Sequence, residues 1–225
     1  MESSYDSLIE QYASKPDGYY DNQRVEMLPF IPEGVSSLLE VGCSSGAFGA
    51  AVKKHFRDCE VWGIEPSPAA AEFAAGRLDK AICGVFGSEM PELEGKRFDC
   101  IVFNDVLEHL ANPDQTLLIC KQYLSEGGSV VASIPNILHF YQISKILLEQ
   151  DWRYEQEGIL DNTHLRFFTK KSIIRLFEHA GYKIEKIEGI NPSFGLKYQF
   201  ANFIALGKLK DFRFVQFAVR GSISA

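Results

Sequence analysis

Short apolar runs alternate with helical patterns along most of the chain. The runs at residues 38–41, 61–65, 81–86, 98–104 and 129–134 predict strands, whereas the stretches at 50–56, 68–77 and 113–124 predict helices. Strands that alternate with helices in this way predict a parallel sheet with helices on both faces. Beyond Pro135 the pattern predicts helices at 137–148 and 170–180, a loop through 161–169, and strands at 182–190 and 212–219.

Composition narrows the class of protein. A chain of 225 residues with 46% hydrophobic residues fits one elaborated domain. A net charge of −7 and a pI of about 5.3 argue against a nucleic-acid surface, which usually shows clustered Lys and Arg. The chain has no apolar run of about 18 residues, so we expect no membrane span.

The five cysteines are scattered, without a C-x-x-C pair. We interpret them as buried free thiols, and an odd count without a signal peptide predicts a reducing, cytoplasmic location. We predict no metal site.

The segment LLEVGCSSGAFG at residues 38–49 is the most informative motif. Gly42, Gly46 and Gly49 carry no Cβ, so the chain can turn sharply and a ligand can approach the backbone where a helix begins. The next strand ends in Glu65, which can accept hydrogen bonds from two ribose hydroxyls. Dinucleotides and S-adenosylmethionine both use this arrangement. Ser44 occupies a glycine position of G-x-G-x-x-G in either register, so a nicotinamide-dependent oxidoreductase ranks last.

Glu40, Gly42, Gly46 and Glu65 resemble the first two motifs of class I S-adenosylmethionine-dependent methyltransferases. The resemblance continues in VLEHL at 106–110, and a D-x-x-H-x-R-F-F-T run at 161–169 is similar to a subgroup associated with surface-polysaccharide and other sugar pathways. It implies an α/β, Rossmann-like fold with a mostly parallel seven-stranded sheet, terminal antiparallel strands and helices on both faces. We expect one domain, with a helical lid at 1–34, a cofactor-binding core at 35–135 and an acceptor-side region with the last strands at 136–225.

The resemblance also implies a cofactor, S-adenosylmethionine, with S-adenosylhomocysteine as product. Glu65 would bind the ribose diol, and Glu40 would fix the loop or the cofactor's ammonium group. Relatives often have an acidic residue after the third strand, whereas here Val85 or Phe86 would pack on adenine together with backbone groups, although a core role for Phe86 is as plausible. Arg24 would pair with the cofactor carboxylate, or else with Glu26 or Asp21 at the surface. The full set of expected cofactor contacts is Tyr20, Arg24, Glu40, Gly42, Cys43, Gly46, Glu65, Val85, Phe86, Asn104, Asp105 and His109.

His164 is the best candidate for a general base, because a near-neutral imidazole can take a hydroxyl proton as the methyl arrives. Asp161 and Asn136 are the other candidate catalytic residues on the acceptor side. The alternative is that Asp161 and His164 only anchor their loop.

Together these features predict a methyltransferase acting on a small molecule, with a hydroxyl of a sugar or polysaccharide precursor as acceptor. A quinone-type or other small-molecule methyltransferase and an inactive cofactor-binding scaffold are the alternatives. The sequence is compatible with a homo-oligomer but does not determine one.

Overall fold

A computed structural model describes residues 23–223 of the chain. Its strands are β1 (Ser37–Val41), β2 (Glu60–Glu65), β3 (Lys80–Cys83), β4 (Phe98–Asn104), β5 (Leu124–Pro135), β6 (Tyr182–Pro192) and β7 (Phe214–Ile223). Its α-helices are α1 (Ala47–His55), α2 (Pro68–Ala75), α3 (Pro113–Cys120), α4 (Phe140–Glu149), α5 (Lys170–His179) and α6 (Leu196–Ile204).

The seven strands form one sheet in the order β3-β2-β1-β4-β5-β7-β6. The pairs from β3 to β5 are parallel, whereas β7 runs antiparallel to both β5 and β6. The predicted fold class is therefore confirmed, including the terminal antiparallel strands. Because the carboxyl ends of β1, β2, β4 and β5 lie at one edge of the sheet, the loops after them meet there.

Alternate residues of the central strands fill two hydrophobic cores, one on each face of the sheet. Leu39 and Phe103 belong to the core that also contains Leu117 of α3 and Phe177 of α5. The neighbouring Leu38 joins the other core, with residues of α1 and α2. Strands buried on both faces explain why their sequences are apolar throughout rather than alternating.

The start of α5 and the state of the cysteines agree with the sequence-based predictions. The Thr169 side chain caps α5 by accepting a hydrogen bond from the Ser172 amide. The Ser172 hydroxyl accepts one from the Thr169 amide, so the two residues form a capping box. All five cysteines are free, and four of them are buried. Within residues 23–223, no helix combines the length and apolar character needed to cross a bilayer.

Two stretches differ most from the prediction. The third strand ends at Cys83, and Phe86 leaves the sheet to place its ring against Phe103 and Tyr123, with centroids 6.1 Å and 5.6 Å apart. Residues 196–204 form helix α6, for which the sequence pattern predicted no element. Its first turn follows Gly195, which provides no side-chain cap, so the usual start signal is missing.

Candidate functional site

The turn after β1 is a left-handed backbone segment that packs against the loop after β4. Gly42, Ser44 and Gly46 have φ values of +72°, +52° and +77°, and the Gly42 amide donates to the Ile64 carbonyl at 2.8 Å. A Cβ on Gly42 would lie 2.6 Å from Cγ2 of Val106. The close approach requires glycine at position 42, whereas Ser44 adopts a positive φ despite its side chain.

Glu65 joins this turn to the start of α2. One carboxylate oxygen accepts the Ser44 amide and the other accepts the Ser67 amide, both at 2.9 Å. Burial raises the pKa of Glu65, and the two amide hydrogen bonds act in the opposite direction. Each oxygen keeps acceptor capacity for a further donor. A ribose-binding role remains a prediction that this geometry permits.

Glu40 lies wholly inside the protein behind the turn. Asn104 donates its amide to Oε1 of Glu40 at 3.2 Å, which ties β1 to the end of β4. Burial raises the pKa of Glu40 to about 8. The contact with Asn104 supports the predicted role of Glu40 in fixing the loop. Cys43 is buried in the same turn, and burial raises the pKa of its thiol.

Arg24 and Asp105 form a polar network at the end of β5. The Arg24 guanidinium pairs with Asp105 and with Glu26, and it donates to Oγ of Ser133 at 3.0 Å. Burial would lower the pKa of Arg24, but the carboxylates of Asp105 and Glu26 outweigh it and raise that pKa. Gln216 of β7 donates to Asp105 at 2.7 Å. The pair with Glu26 agrees with the alternative prediction for Arg24. Arg24 is buried, however, whereas that alternative placed it at the surface.

Three further expected contacts lie apart from this network. Phe86 packs on the core, so its contacts support the core role that the sequence left open. Val85 is exposed and stays a predicted adenine contact. Tyr20 lies outside the described residues.

Glu108, His109 and His164 form a buried group beyond the loop after β4. One possible ligand atom of each lies within 4.8 Å of the others, and Nε2 of His164 is 3.9 Å from Oε1 of Glu108. The two imidazole rings meet edge to face with centroids 4.7 Å apart. Within residues 23–223, neither carboxylate oxygen of Glu108 accepts a hydrogen bond. Burial and the nearby Asp105 carboxylate raise the pKa of Glu108 well above its ordinary value.

Backbone carbonyls orient both imidazoles. Nδ1 of His164 lies 3.0 Å from the Ile159 carbonyl, and Nδ1 of His109 lies 3.2 Å from the Thr163 carbonyl. A carbonyl only accepts, so each Nδ1 donates and the neutral ring keeps its lone pair on Nε2. Carboxylate and imidazole donors of this kind can also hold a divalent cation, which makes this group the candidate metal site among the described residues.

Asp161 and Asn136 have structural contacts. Oδ1 of Asp161 accepts the Thr163 amide at 2.9 Å and the Thr163 hydroxyl at 2.7 Å, so Asp161 orders the loop that carries His164. Asn136 is buried, and its amide donates to the carbonyls of Asp211 and Phe214 while its oxygen accepts the Leu138 amide. Main-chain groups of the described structure thus hold the Asn136 side chain, which joins β5 to the segment before β7, and its catalytic role stays a prediction.

The structure adds residues that the sequence did not single out. Glu108 lies inside the VLEHL run, but the motif does not reveal that its carboxylate is buried beside His164. Gln216 and Ser133 meet Asp105 only because β5 and β7 pair in their observed register, with Pro135 opposite Gln216. Neither residue belongs to a recognisable motif.

Comparison with known proteins identifies the family. A family model described as a methyltransferase domain matches residues 12–187, which is more than half of the chain. The chain belongs to this methyltransferase family. The predicted enzyme class, an S-adenosylmethionine-dependent methyltransferase, and the predicted cofactor are thereby confirmed.

Curated relatives of this methyltransferase include ubiquinone biosynthesis O-methyltransferases. The protein of that name from Alkalilimnicola ehrlichii is 28% identical over 44% of this chain, and the match spans 41% of that relative. The one from Cereibacter sphaeroides is 27% identical over 78% of this chain and 69% of the relative. These relatives do not support the predicted sugar-associated subgroup.

Solved structures share the fold at low sequence identity. A possible histamine N-methyltransferase from Thermotoga maritima superimposes with a TM-score of 0.62 at 17% identity, covering 100% of this chain and 96% of its own. The plantazolicin methyltransferase BamL, solved with S-adenosylhomocysteine, superimposes with a TM-score of 0.62 at 15% identity. The match covers 99% of this chain and 90% of the BamL chain.

Proposed function

We propose that this methyltransferase transfers the methyl group to a hydroxyl oxygen of a small-molecule acceptor. The observation that carries the proposal is the buried group of Glu108, His109 and His164, which follows β4 at the edge of the sheet where the cofactor loops meet. Hydroxyl methylation needs a proton acceptor close to the oxygen, and a neutral imidazole provides one at its unprotonated nitrogen.

The residues around the glycine turn fit S-adenosylmethionine. Glu65 ends β2 with acceptor capacity for the ribose hydroxyls, and Gly42 and Gly46 give the turn the left-handed backbone against which the methionine part of the ligand would lie. When bound, S-adenosylmethionine supplies a methyl group that its sulfonium already activates. The protein therefore has to align the acceptor oxygen, exclude water and remove one proton.

His164 is the proposed proton acceptor. The Ile159 carbonyl fixes its Nδ1 proton, so Nε2 is the basic atom on the side of Glu108. Asp161 acts through Thr163, which contacts His109, and is a positioning residue in this scheme. If the group instead holds a divalent cation, the same Nε2 atom becomes a ligand and the cation lowers the pKa of the acceptor hydroxyl.

A phenolic acceptor is the first candidate for substrate class. It is supported by the ubiquinone biosynthesis O-methyltransferases, which match up to 78% of this chain. A phenol with a pKa near 10 is also within reach of an imidazole base. A sugar hydroxyl is the second candidate, supported by the run at 161–169 and by an aromatic pair. The ring centroids of Trp152 and Phe167 lie 4.9 Å apart, and the Phe167 ring lies 6.2 Å from that of His164.

Calorimetric titration with S-adenosylhomocysteine tests the cofactor site. Glu65→Gln should weaken binding by roughly one to two orders of magnitude, because one strong acceptor of the ribose diol is replaced. Asp99→Asn is the matched control: Asp99 also accepts backbone amides, from Ser36 and Ser37, but at the other end of the strands. Equal affinity of the wild type and Glu65→Gln would contradict the ribose assignment.

Release of S-adenosylhomocysteine across a panel of catechols, hydroquinones and nucleotide sugars tests the reaction. His164→Gln should lower kcat with phenolic acceptors while leaving cofactor affinity unchanged, and the loss should shrink at higher pH, where the phenol ionises without help. His139→Gln is the matched control, a buried histidine hydrogen-bonded to Ser193 outside the group. Turnover with sugars alone would select the second candidate, whereas cofactor binding without turnover would favour the inactive scaffold.

A further inference from the structure

Helix α6 turns its apolar side chains away from the protein. Leu196, Phe200, Phe203 and Ile204 follow the i, i+4, i+7, i+8 spacing and so form one stripe, which we call the α6 stripe. Their exposed fractions are 82%, 67%, 79% and 64%. Most surface helices of globular proteins point such a stripe inward, so the orientation of α6 is the reverse of the usual one.

Contacts on the opposite face of the helix fix this orientation. Tyr198 is buried, and its hydroxyl donates to the carbonyls of Leu209 and Lys210 at 3.3 Å each. Oδ1 of Asn202 accepts the Leu209 amide at 3.0 Å. The ring of Tyr198 also packs against Phe140 of α4, with centroids 5.6 Å apart. The polar side of α6 is therefore the anchored side, and its apolar side is presented to the surroundings.

The segment that carries the α6 stripe has only positively charged side chains. Between residues 193 and 210 the sequence contains Lys197, Lys208 and Lys210 and no Asp or Glu, although the whole chain carries a net charge of −7. All three lysines are exposed. Phe194 and Leu206, exposed at 66% and 85%, extend the apolar area at the two ends of the helix. An apolar surface of this kind in a basic segment differs in character from the rest of the acidic protein.

We propose that α6 docks the protein on the surface of an anionic lipid bilayer. The α6 stripe enters the boundary between headgroups and acyl chains, and the three lysines contact the anionic headgroups, as in other interfacial helices. Charge complementarity selects this occupant over a second copy of the chain. A symmetric pair on this surface would bring the same lysines of both copies together, and the segment offers no carboxylate to neutralise them.

This inference goes beyond the proposed function and does not depend on it. Docking through α6 uses no residue of the glycine turn or of the group formed by Glu108, His109 and His164. Docking would bring the protein close to an acceptor that is bound to the membrane, but binding to vesicles is measured without acceptor or cofactor.

Flotation of the full chain with phosphatidylcholine vesicles, with and without one quarter phosphatidylglycerol, tests the proposal. The wild type should float with the anionic vesicles, and binding should weaken as salt is added. Phe200→Gln/Phe203→Gln should reduce the partition coefficient by at least about tenfold, because two buried rings are lost from the bilayer. Lys197→Gln/Lys208→Gln/Lys210→Gln should abolish the preference for anionic vesicles.

Phe73→Gln is the matched control, since Phe73 is 68% exposed on helix α2 and lies outside the α6 stripe. It should float like the wild type. The thermal midpoint and the affinity for S-adenosylhomocysteine verify that each variant is folded. The proposal is overturned if the wild type does not bind anionic vesicles, if it binds neutral ones equally, or if Phe73→Gln loses binding as the stripe variant does. A wild-type dimer that becomes monomeric in Phe200→Gln/Phe203→Gln, without vesicle binding, would show that a second copy is the occupant.

Discussion

The contact between Gly42 and Val106 gives the sharpest test of the site, because it joins the glycine turn to the loop that carries Glu108 and His109. In Gly42→Ala, the new Cβ lowers the stability of the folded protein in two ways. A φ of +72° disfavours any L side chain by about 1–2 kcal/mol, and a Cβ placed 2.6 Å from Cγ2 of Val106 forces an overpacking cost of about 1–3 kcal/mol.

Gly127 separates the two costs. It has the same φ of +72°, but a Cβ there would have no neighbour within 4 Å. We therefore expect Gly127→Ala to lower the free energy of unfolding by about 1–2 kcal/mol and Gly42→Ala by about 2–5 kcal/mol. Denaturant titration resolves this difference, since domains of this size have a total stability of about 5–15 kcal/mol.

Val106→Ala completes the design. In that background the clash is gone, so adding Gly42→Ala should cost no more than Gly127→Ala does, and the double-mutant cycle should show a coupling of about 1–3 kcal/mol. Gly42→Ala alone should also weaken binding of S-adenosylhomocysteine, because the turn or the loop after β4 has to move. The reasoning fails if Gly42→Ala costs no more than Gly127→Ala, or if the excess cost persists without the Val106 methyl groups.

Three further predictions concern groups around the site. Burial raises the pKa of Glu40 from 4.5 to about 8, so the folded protein retains a proton that the unfolded chain releases between these values. The free energy of unfolding should therefore fall as pH rises through this window. Urea titration at pH about 5 and about 8 measures the fall, which should be smaller in Glu40→Gln than in the wild type. An equal fall in both proteins would disprove this prediction. Thr169→Ala removes the N-cap of α5 and should lower the unfolding free energy by about 1 kcal/mol without changing kcat. Asn136→Ala should cost about 1–3 kcal/mol of stability, because the Phe214 carbonyl loses its side-chain donor and the Asp211 carbonyl keeps only the Phe214 amide. A lower kcat at full stability would instead support its predicted catalytic role.

Much of the fold was accessible from local patterns. The apolar runs marked the strands, and the left-handed residues Gly42 and Gly46 marked the turn after β1, because turn chemistry depends on a few adjacent residues. The same logic placed Glu65 at the end of β2. It was less successful for residues 84–86, where Phe86 turns into the core because of partners far away in the sequence, and for α6, which lacks a capping side chain.

The sequence by itself determined the family, the order of the strands along the chain and the residues at their ends, since these follow from periodicity and short motifs. Only the tertiary structure decided which of those residues meet. The register of β5 and β7 brings Gln216 to Asp105, and the loop through His164 lies against Glu108. The direction in which the α6 stripe points likewise depends on how Tyr198 anchors the opposite face. Contacts between distant segments set these features, and a local pattern carries no information about them.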